Sequence, residues 1–490
     1  MQIVQVVRRT SAILAALALM AGCSSTPVDD GKVPITTKSE KAREQFVQAR
    51  DFSERLRGVE ALALLKRAVE QDSQFAQGYL LLAQVSPGAG EFFANLDKAR
   101  KAATYATEAE QLMIQAFAAQ VNSDLPAQEQ ALTQLATLRP NDERVQMLLG
   151  NYYFGLQRWP EAITHYQQAV AIDSNFSPVY NQLGYSYRFN ERMAEAEAAF
   201  KKYIALIPDD PNPYDSYAEL LMKLGRFEES IAQYERALKV QSTFPPSYFG
   251  IASNLNFLGR HAEAREKLQQ FFDQAENDGQ RRAAYAGMAI SAVDEGNYEL
   301  ALQMLQKMYD VAAAKNDFAA MSGDVNLMGN VFLEMGRADD ALKRFQETVD
   351  LQAKAENNSE QLIALVHLNS LYDAGRVALA KGDLATAKDN FAKYQTQADA
   401  NKNRFQIWLG QQLAALIALQ EQKWDAALAA IEKSNLQNPY NLCLLAETYR
   451  GLGDTAMAQE FFRKAADYNL VNSLNQSLAR RRVATKAGGV

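Results

Sequence analysis

Two cysteines and three histidines are all that this chain of 490 residues provides. So few thiols exclude a disulfide framework. The histidines, His165, His261 and His367, lie far apart, with neither an HExxH motif nor the i, i+4 pair of a helical zinc site. Positive charge is also in short supply: 51 Lys and Arg stand against 58 Asp and Glu, a formal net charge of −7. Such a chain is a poor nucleic-acid binder, because that affinity comes from Lys and Arg on phosphates. Long apolar runs are missing too. The run Ala12 to Met20 is about ten residues, half of the ~20 that a spanning helix needs. No GxSxG elbow, phosphate-binding glycine loop or dinucleotide fingerprint occurs. These absences predict a protein with no catalytic residues, no cofactor and no metal.

What is present is a count. Gly150 and Gly184 are 34 residues apart, as are Tyr153 and Tyr187, Ala162 and Ala196, and Tyr166 and Phe200; Pro140 and Pro208 stand two such steps apart. No stretch shows the sustained alternation of a strand. In residues 177–210, Tyr180, Leu183, Gly184 and Tyr187 share one helical face, and Ala196, Phe200, Tyr203 and Ile207 share another. Gly184 and Ala196 let two helices approach, aromatic rings fill the flanks, and Pro208 ends the second helix. A second column runs further on. Gly225, Gly259, Gly296, Gly336, Gly382 and Gly453 stand where a left-handed residue would end the first helix of each pair. Five residues later comes a small side chain (Ser230, Ala264, Ala301, Ala341, Ala387, Ala458). Four more bring a large one (Tyr234, Leu268, Leu305, Phe345, Phe391, Phe462).

The 177–210 unit is similar to the tetratricopeptide repeat (TPR) family. It meets the pattern W-x2-L-G-x2-Y…A-x3-F…P everywhere except Tyr180, where Trp is usual. The expected fold is therefore all-α: a solenoid, or superhelix, of stacked antiparallel helical hairpins, about twelve TPR-like units. Regular units are expected over 39–274. Extended units of about 40 residues follow over 275–466, where the turn glycines drift apart and the polar stretches 273–282, 353–361 and 397–404 take up length. Residues 467–490 are expected to give a capping helix and a frayed tail, with Arg480, Arg481 and Arg482 forming a solvated helix end. Cys443, in the apolar stretch Leu442 to Leu445, is read as a small buried hydrophobe.

The N-terminus reads as an address. Arg8 and Arg9 precede the short apolar run, which closes on Leu19-Met20-Ala21-Gly22-Cys23. This end resembles the bacterial lipobox, with Met20 where Leu is more usual. The resemblance implies a signal peptide over 1–22, cleavage before Cys23 and acylation of that cysteine. Ser24, rather than an Asp, implies the outer membrane, with the protein facing the periplasm. Several acyl chains on one residue give stable anchoring where one would not. Residues 23–38, rich in turn formers, are expected to be a flexible tether.

In TPR arrays the first helices of the pairs usually line a concave surface. Projecting the register outward gives a partner-binding groove of Met147, Asn151 and Phe154; Asn181, Tyr185 and Arg188; Asp215, Glu219 and Met222; and Phe249, Ser253 and Asn256. Aromatic and Arg residues of this kind are common binding hot spots. The Lys/Asn clamp with which some relatives grip a peptide carboxylate is not reproduced, since Met147 and Asn181 stand at two of its places. The function expected is a lipid-anchored periplasmic scaffold that binds protein or peptide partners in the cell envelope. The alternative is a regulator of cell-wall synthesis, or a glycan- or polymer-binding protein, using the same groove.

Overall fold

At each of the six turn glycines the backbone adopts φ between +73° and +90°, the left-handed conformation that ends a helix without a steric penalty. Earlier turns do the same with Leu56, Gln157 and Glu191, at φ near +60°. This is why the glycine column begins only at Gly225. The computed structural model describes residues 30–122, 124–355 and 360–487. The signal peptide 1–22 and Cys23 lie outside the described residues. Among those described there are 25 α-helices, one short 3-10 turn and no strand. In sequence order the helices fall as twelve pairs and one further helix, the all-α solenoid class expected. None of the described helices is long and apolar enough to cross a membrane.

The chain divides into two compact units, residues 1–191 and 192–490. In the first, helix Glu143–Gly155 pairs with Trp159–Ile172. Gly150 lies flat against the Tyr166 ring, so closely that a Cβ built there would run into it. Tyr166 is wholly buried and its hydroxyl donates to Asn151 Oδ1 at 2.7 Å. The glycine and the ring together set the spacing of the two helices.

In the second unit one core runs from Ala218 through Ala264 and Leu268 to Met328 and Val331. The change of period near residue 274 therefore falls inside a continuous core and is not a boundary. The longer period is carried by longer helices. Helices of 13 or 14 residues, as in Pro245–Phe257 and Phe227–Val240, give way to 18 in Asp278–Glu295, 17 in Phe318–Glu334 and 21 in Glu360–Ala380.

The start of the described chain departs from the expected tether. Residues 30–38 are an extended strap bonded along the first unit. Lys32 Nζ donates to the Asn141 carbonyl at 2.9 Å and pairs with Glu143, and the Val33 N–H donates to Asp142 Oδ2 at 2.7 Å. The Thr36 N–H and hydroxyl donate to Glu110 at 2.9 and 2.6 Å. The Thr37 hydroxyl and Lys38 N–H both reach Asp72 Oδ2, at 2.6 and 2.9 Å. Glu110 has no exposed surface, and it also accepts from Gln77 Nε2 and from the N–H and hydroxyl of Thr107. A carboxylate buried this deeply is tolerable only because every lone pair has a donor.

Gly150→Ala overpacks the hairpin and is expected to cost about 1–3 kcal/mol. Gly155→Ala, where an added Cβ meets nothing within 4 Å, is expected to be neutral or to gain up to about 1 kcal/mol. Thermal unfolding of both variants checks the contrast. Glu110→Ala strands the donors of Thr36, Gln77 and Thr107, at roughly 1–3 kcal/mol for each that stays dry. It should also release the strap, seen as faster tryptic cleavage at Lys32 and Lys38.

Candidate partner-binding faces

In the first unit the leading helices, Glu143–Gly155 and Ser177–Phe189, carry the first six predicted positions. Phe154 meets the ring of Trp159 edge-on at 5.0 Å and that of Phe189 at 5.9 Å. Trp159 and Phe189 stack at 4.9 Å, and Phe189 is 39% exposed. The guanidinium of Arg188 lies 5.8 Å from the Tyr185 ring and 5.6 Å from that of Phe189. Phe154, Tyr185 and Arg188 thus gather into one aromatic patch around two residues absent from the predicted stripe. Asn151 is exposed while bonded to Tyr166, Met147 is half-buried, and Asn181 and Arg188, expected to face a partner, are buried because the adjoining helices cover them. His165 stacks on Tyr153 at 5.4 Å and bonds Gln146 at 3.0 Å, half-buried between the helices. Burial lowers its pKa.

In the second unit the predicted stripe lies mostly inside. Met222 has no exposed surface, and Asp215, Ser253 and Asn256 are buried. Phe249 is half-buried against Phe271, 5.5 Å between centroids. Glu219 is half-buried one turn after Asp215. The reason is lateral: these side chains join each leading helix to the next. Ser247 donates to Asp215 at 2.8 Å and Ser291 to Asn256 at 2.7 Å. Arg282 grips Asp324 through two bonds of 2.9 Å. Arg376 donates to Asn330 at 2.8 Å, and Gln412 bonds both Tyr372 and Asn441. Projection of one helical register placed these residues on an outward face without counting the neighbouring repeat.

The face that remains is occupied by the chain itself. Helix Leu474–Ala487 packs on both helices of the last pair, Pro439–Gly451 and Thr455–Ala466, as a capping helix would, and it also lies along leading helix Asp278–Glu295. The Asn472 N–H donates to Ser253 Oγ at 2.9 Å, across 219 residues of sequence. Leu474, Leu478, Ala479 and Val483 are buried, and Cys443 sits in the core with Sγ 3.7 Å from the Ala479 carbonyl. The expected solvated arginine run is instead engaged. Arg480 pairs with Asp294 at 3.0 Å and lies 4.4 Å from the Phe257 ring, and Arg482 pairs with Glu334 at 2.9 Å and lies 4.7 Å from that of Tyr440. Burial works against the charge of Arg482, but Tyr440 and Glu334 outweigh it and raise its pKa. Arg481 lies over Gly296, where an added Cβ would come within 2.8 Å of its Nη2. Nothing in the local composition of residues 474–487 announced these partners. The only signal was the placing of Asp294 and Glu334 two residues before turn glycines.

Comparison with known proteins agrees with this architecture. A family model described as TPR repeat matches residues 150–188, and one described as Tetratricopeptide repeat matches 177–210, 212–244 and 439–472. The chain carries tetratricopeptide repeats. It is similar to anaphase-promoting complex subunit 3 of Schizosaccharomyces pombe, 22% identical over 46% of this chain and 33% of that protein. It is similar to protein O-mannosyl-transferase TMTC3 of Homo sapiens, 22% identical over 64% of this chain and 34% of that protein. The chain thus spans about a third of the length of these curated relatives. Among solved structures it resembles YrrB, described as a TPR protein with an unusual peptide-binding site (21% identity, 37% of this chain and 92% of that one, TM-score 0.28). It also resembles TTC0263, a thermophilic TPR protein of Thermus thermophilus (20% identity, 44% and 98%, TM-score 0.30). Among the described residues, no group of three or more His, Cys, Asp or Glu is placed to hold a metal ion.

The lateral bonds have a pH signature. Burial pushes the Asp215 carboxyl up to about 7, the Glu219 charge adds to the rise, and the Ser247 hydroxyl only partly opposes it. A folded pKa above the unfolded value of about 4 means that protonation favours the folded state. The contribution is complete below about pH 4 and is lost as pH rises through about 7. Asp215→Asn removes the charge and keeps an acceptor for Ser247. It should melt above the parent at about pH 8, by a margin that shrinks toward about pH 5. A margin equal at both pH values would contradict the assignment.

Proposed function

We propose that this protein is a scaffold that binds protein partners along the leading helices of its repeats. Acylated Cys23 would hold it at the bacterial outer membrane, facing the periplasm. The repeats are of a kind that mediates protein–protein contact. The observation that carries the reading is the second unit's grip on a helix of its own chain. Apolar side chains seat between leading helices, and charged ends pair with carboxylates at repeating positions. That is the chemistry with which a groove takes an amphipathic helix from another protein. In the first unit, the cluster of Phe154, Trp159 and Phe189, backed by the buried Arg188, offers aromatic groups of the hot-spot type. Binding, not catalysis, is the role this composition supports.

The anchor rests on the sequence alone, through the lipobox resemblance of Leu19 to Cys23. Expression in a Gram-negative host separates the two parts of the proposal. The parent chain should fractionate with the outer membrane, and Cys23→Ala should appear in the soluble periplasm. Unchanged membrane association of that variant would overturn the anchor. Cross-linked pull-down of the tethered parent, read by mass spectrometry, should retain envelope proteins, and an array that retains none would overturn the scaffold.

A further inference from the structure

In the second unit, four successive repeats offer the same position to the C-terminal segment. Two residues before the turn glycines Gly225, Gly259, Gly296 and Gly336 stand Lys223, Phe257, Asp294 and Glu334. The Lys223 ammonium lies 5.0 Å from the Tyr468 ring, Phe257 faces the Arg480 guanidinium, Asp294 pairs with Arg480, and Glu334 with Arg482. The row reads cation, ring, anion, anion. Residues 468–482 answer it in the same order with a ring, an arginine that serves two positions, and a second arginine. One position per repeat, sampled in sequence, is how a solenoid reads an elongated ligand.

The occupant is a single helix at the end of the chain, held by four apolar side chains, the buried Gln476 and Ser477, and two ion pairs. Its buried apolar side chains are Leu474, Leu478, Ala479 and Val483. Arg480 and Arg482 keep 22% and 27% of their side-chain surface exposed, although the atoms that meet in the first pair, Arg480 Nε and Asp294 Oδ1, are buried. Residues 467–473, without helix and carrying Asn469, Asn472 and Ser473, connect it to the last hairpin.

We propose, resting on the scaffold reading above, that this face of the second unit is a receptor for a basic amphipathic helix. Residues 474–487 occupy it in cis, and a partner helix of the same chemistry displaces them. That chemistry is apolar residues at i, i+4, i+5 and i+9, with arginines at i+6 and i+8. Asp294 and Glu334 are the specificity-determining pair, since they stand where an arginine of the ligand must be charged and correctly spaced. The cis helix acts as a competitor at an effective concentration of about millimolar, so a trans ligand meets a face that is already taken.

The probe is a labelled peptide of residues 468–487, measured by fluorescence anisotropy against the full chain. Arg480→Glu with Arg482→Glu should loosen the cis helix and raise the affinity for the peptide at least about tenfold over the parent. Asp294→Lys with Glu334→Lys added to that variant should abolish the gain. Hydrogen exchange gives an independent reading on the unaltered chain: millimolar unlabelled peptide should speed exchange in 474–487 and leave 278–295 protected. Equal peptide affinity in parent and variant, or no change in exchange, would overturn the proposal. So would loss of protection throughout the second unit on release of the helix, which would make 474–487 a fixed strut. Envelope proteins retained by the parent despite either result would leave the scaffold reading standing and sink only this one.

Discussion

Everything in the two units depends on how closely one helix can approach the next, and a glycine against an aromatic face decides it. Gly150 meets Tyr166 within a hairpin, and Gly329 meets Phe345 in the same way, where a Cβ would come within 2.6 Å of the ring. Gly250 meets Tyr234 between hairpins. The same device thus sets the spacing inside a repeat and from one repeat to the next. With both distances fixed, any given helical position recurs as a row along each unit. Rows are what an array can use, because a partner then touches several repeats through equivalent atoms.

In the second unit the inner row is polar and buried. Asp215 with Ser247, Asn256 with Ser291, Arg282 with Asp324 and Asn330 with Arg376 tie each leading helix to its successor. Apolar contacts would hold the helices together as well, but they would allow sliding. A hydrogen-bonded pair has one good register, and losing it strands a buried group at roughly 1–3 kcal/mol. The ladder keeps the outer row in line even as the repeats lengthen.

The hairpin architecture was legible in the sequence because it rests on local rules. Small residues, rings and left-handed turns recur at a countable step, and the turn glycines keep their positive φ wherever they were read. The binding stripe was only partly legible. A helical register says which side chains point away from the hairpin partner, but it does not say what the neighbouring repeat covers, so Met222 and Asn256 read as surface and are buried. The periodic arginines Arg158, Arg192, Arg226 and Arg260 were visible at the same 34-residue step. Each reaches a Glu three residues on, an exposed pair of small energetic weight. Two features had no local signature. The Asn472–Ser253 bond joins residues 219 apart, and Asp72, Glu110 and Asp142 look from sequence like ordinary solvated acids near helix ends.

The strap gives the first unit a mechanical character. It runs against the order of the repeats, with Lys32 at Glu143, Thr36 at Glu110 and Lys38 at Asp72, before the chain turns into helix Glu40–Glu54. A pull applied ahead of residue 30 is therefore not delivered to the first hairpin. It enters the unit at the fourth hairpin and travels back through Glu110 and Asp72, so the terminal repeat is the last to feel it. The helix pair that would otherwise fray under tension is shielded by the extended chain of residues 30–38.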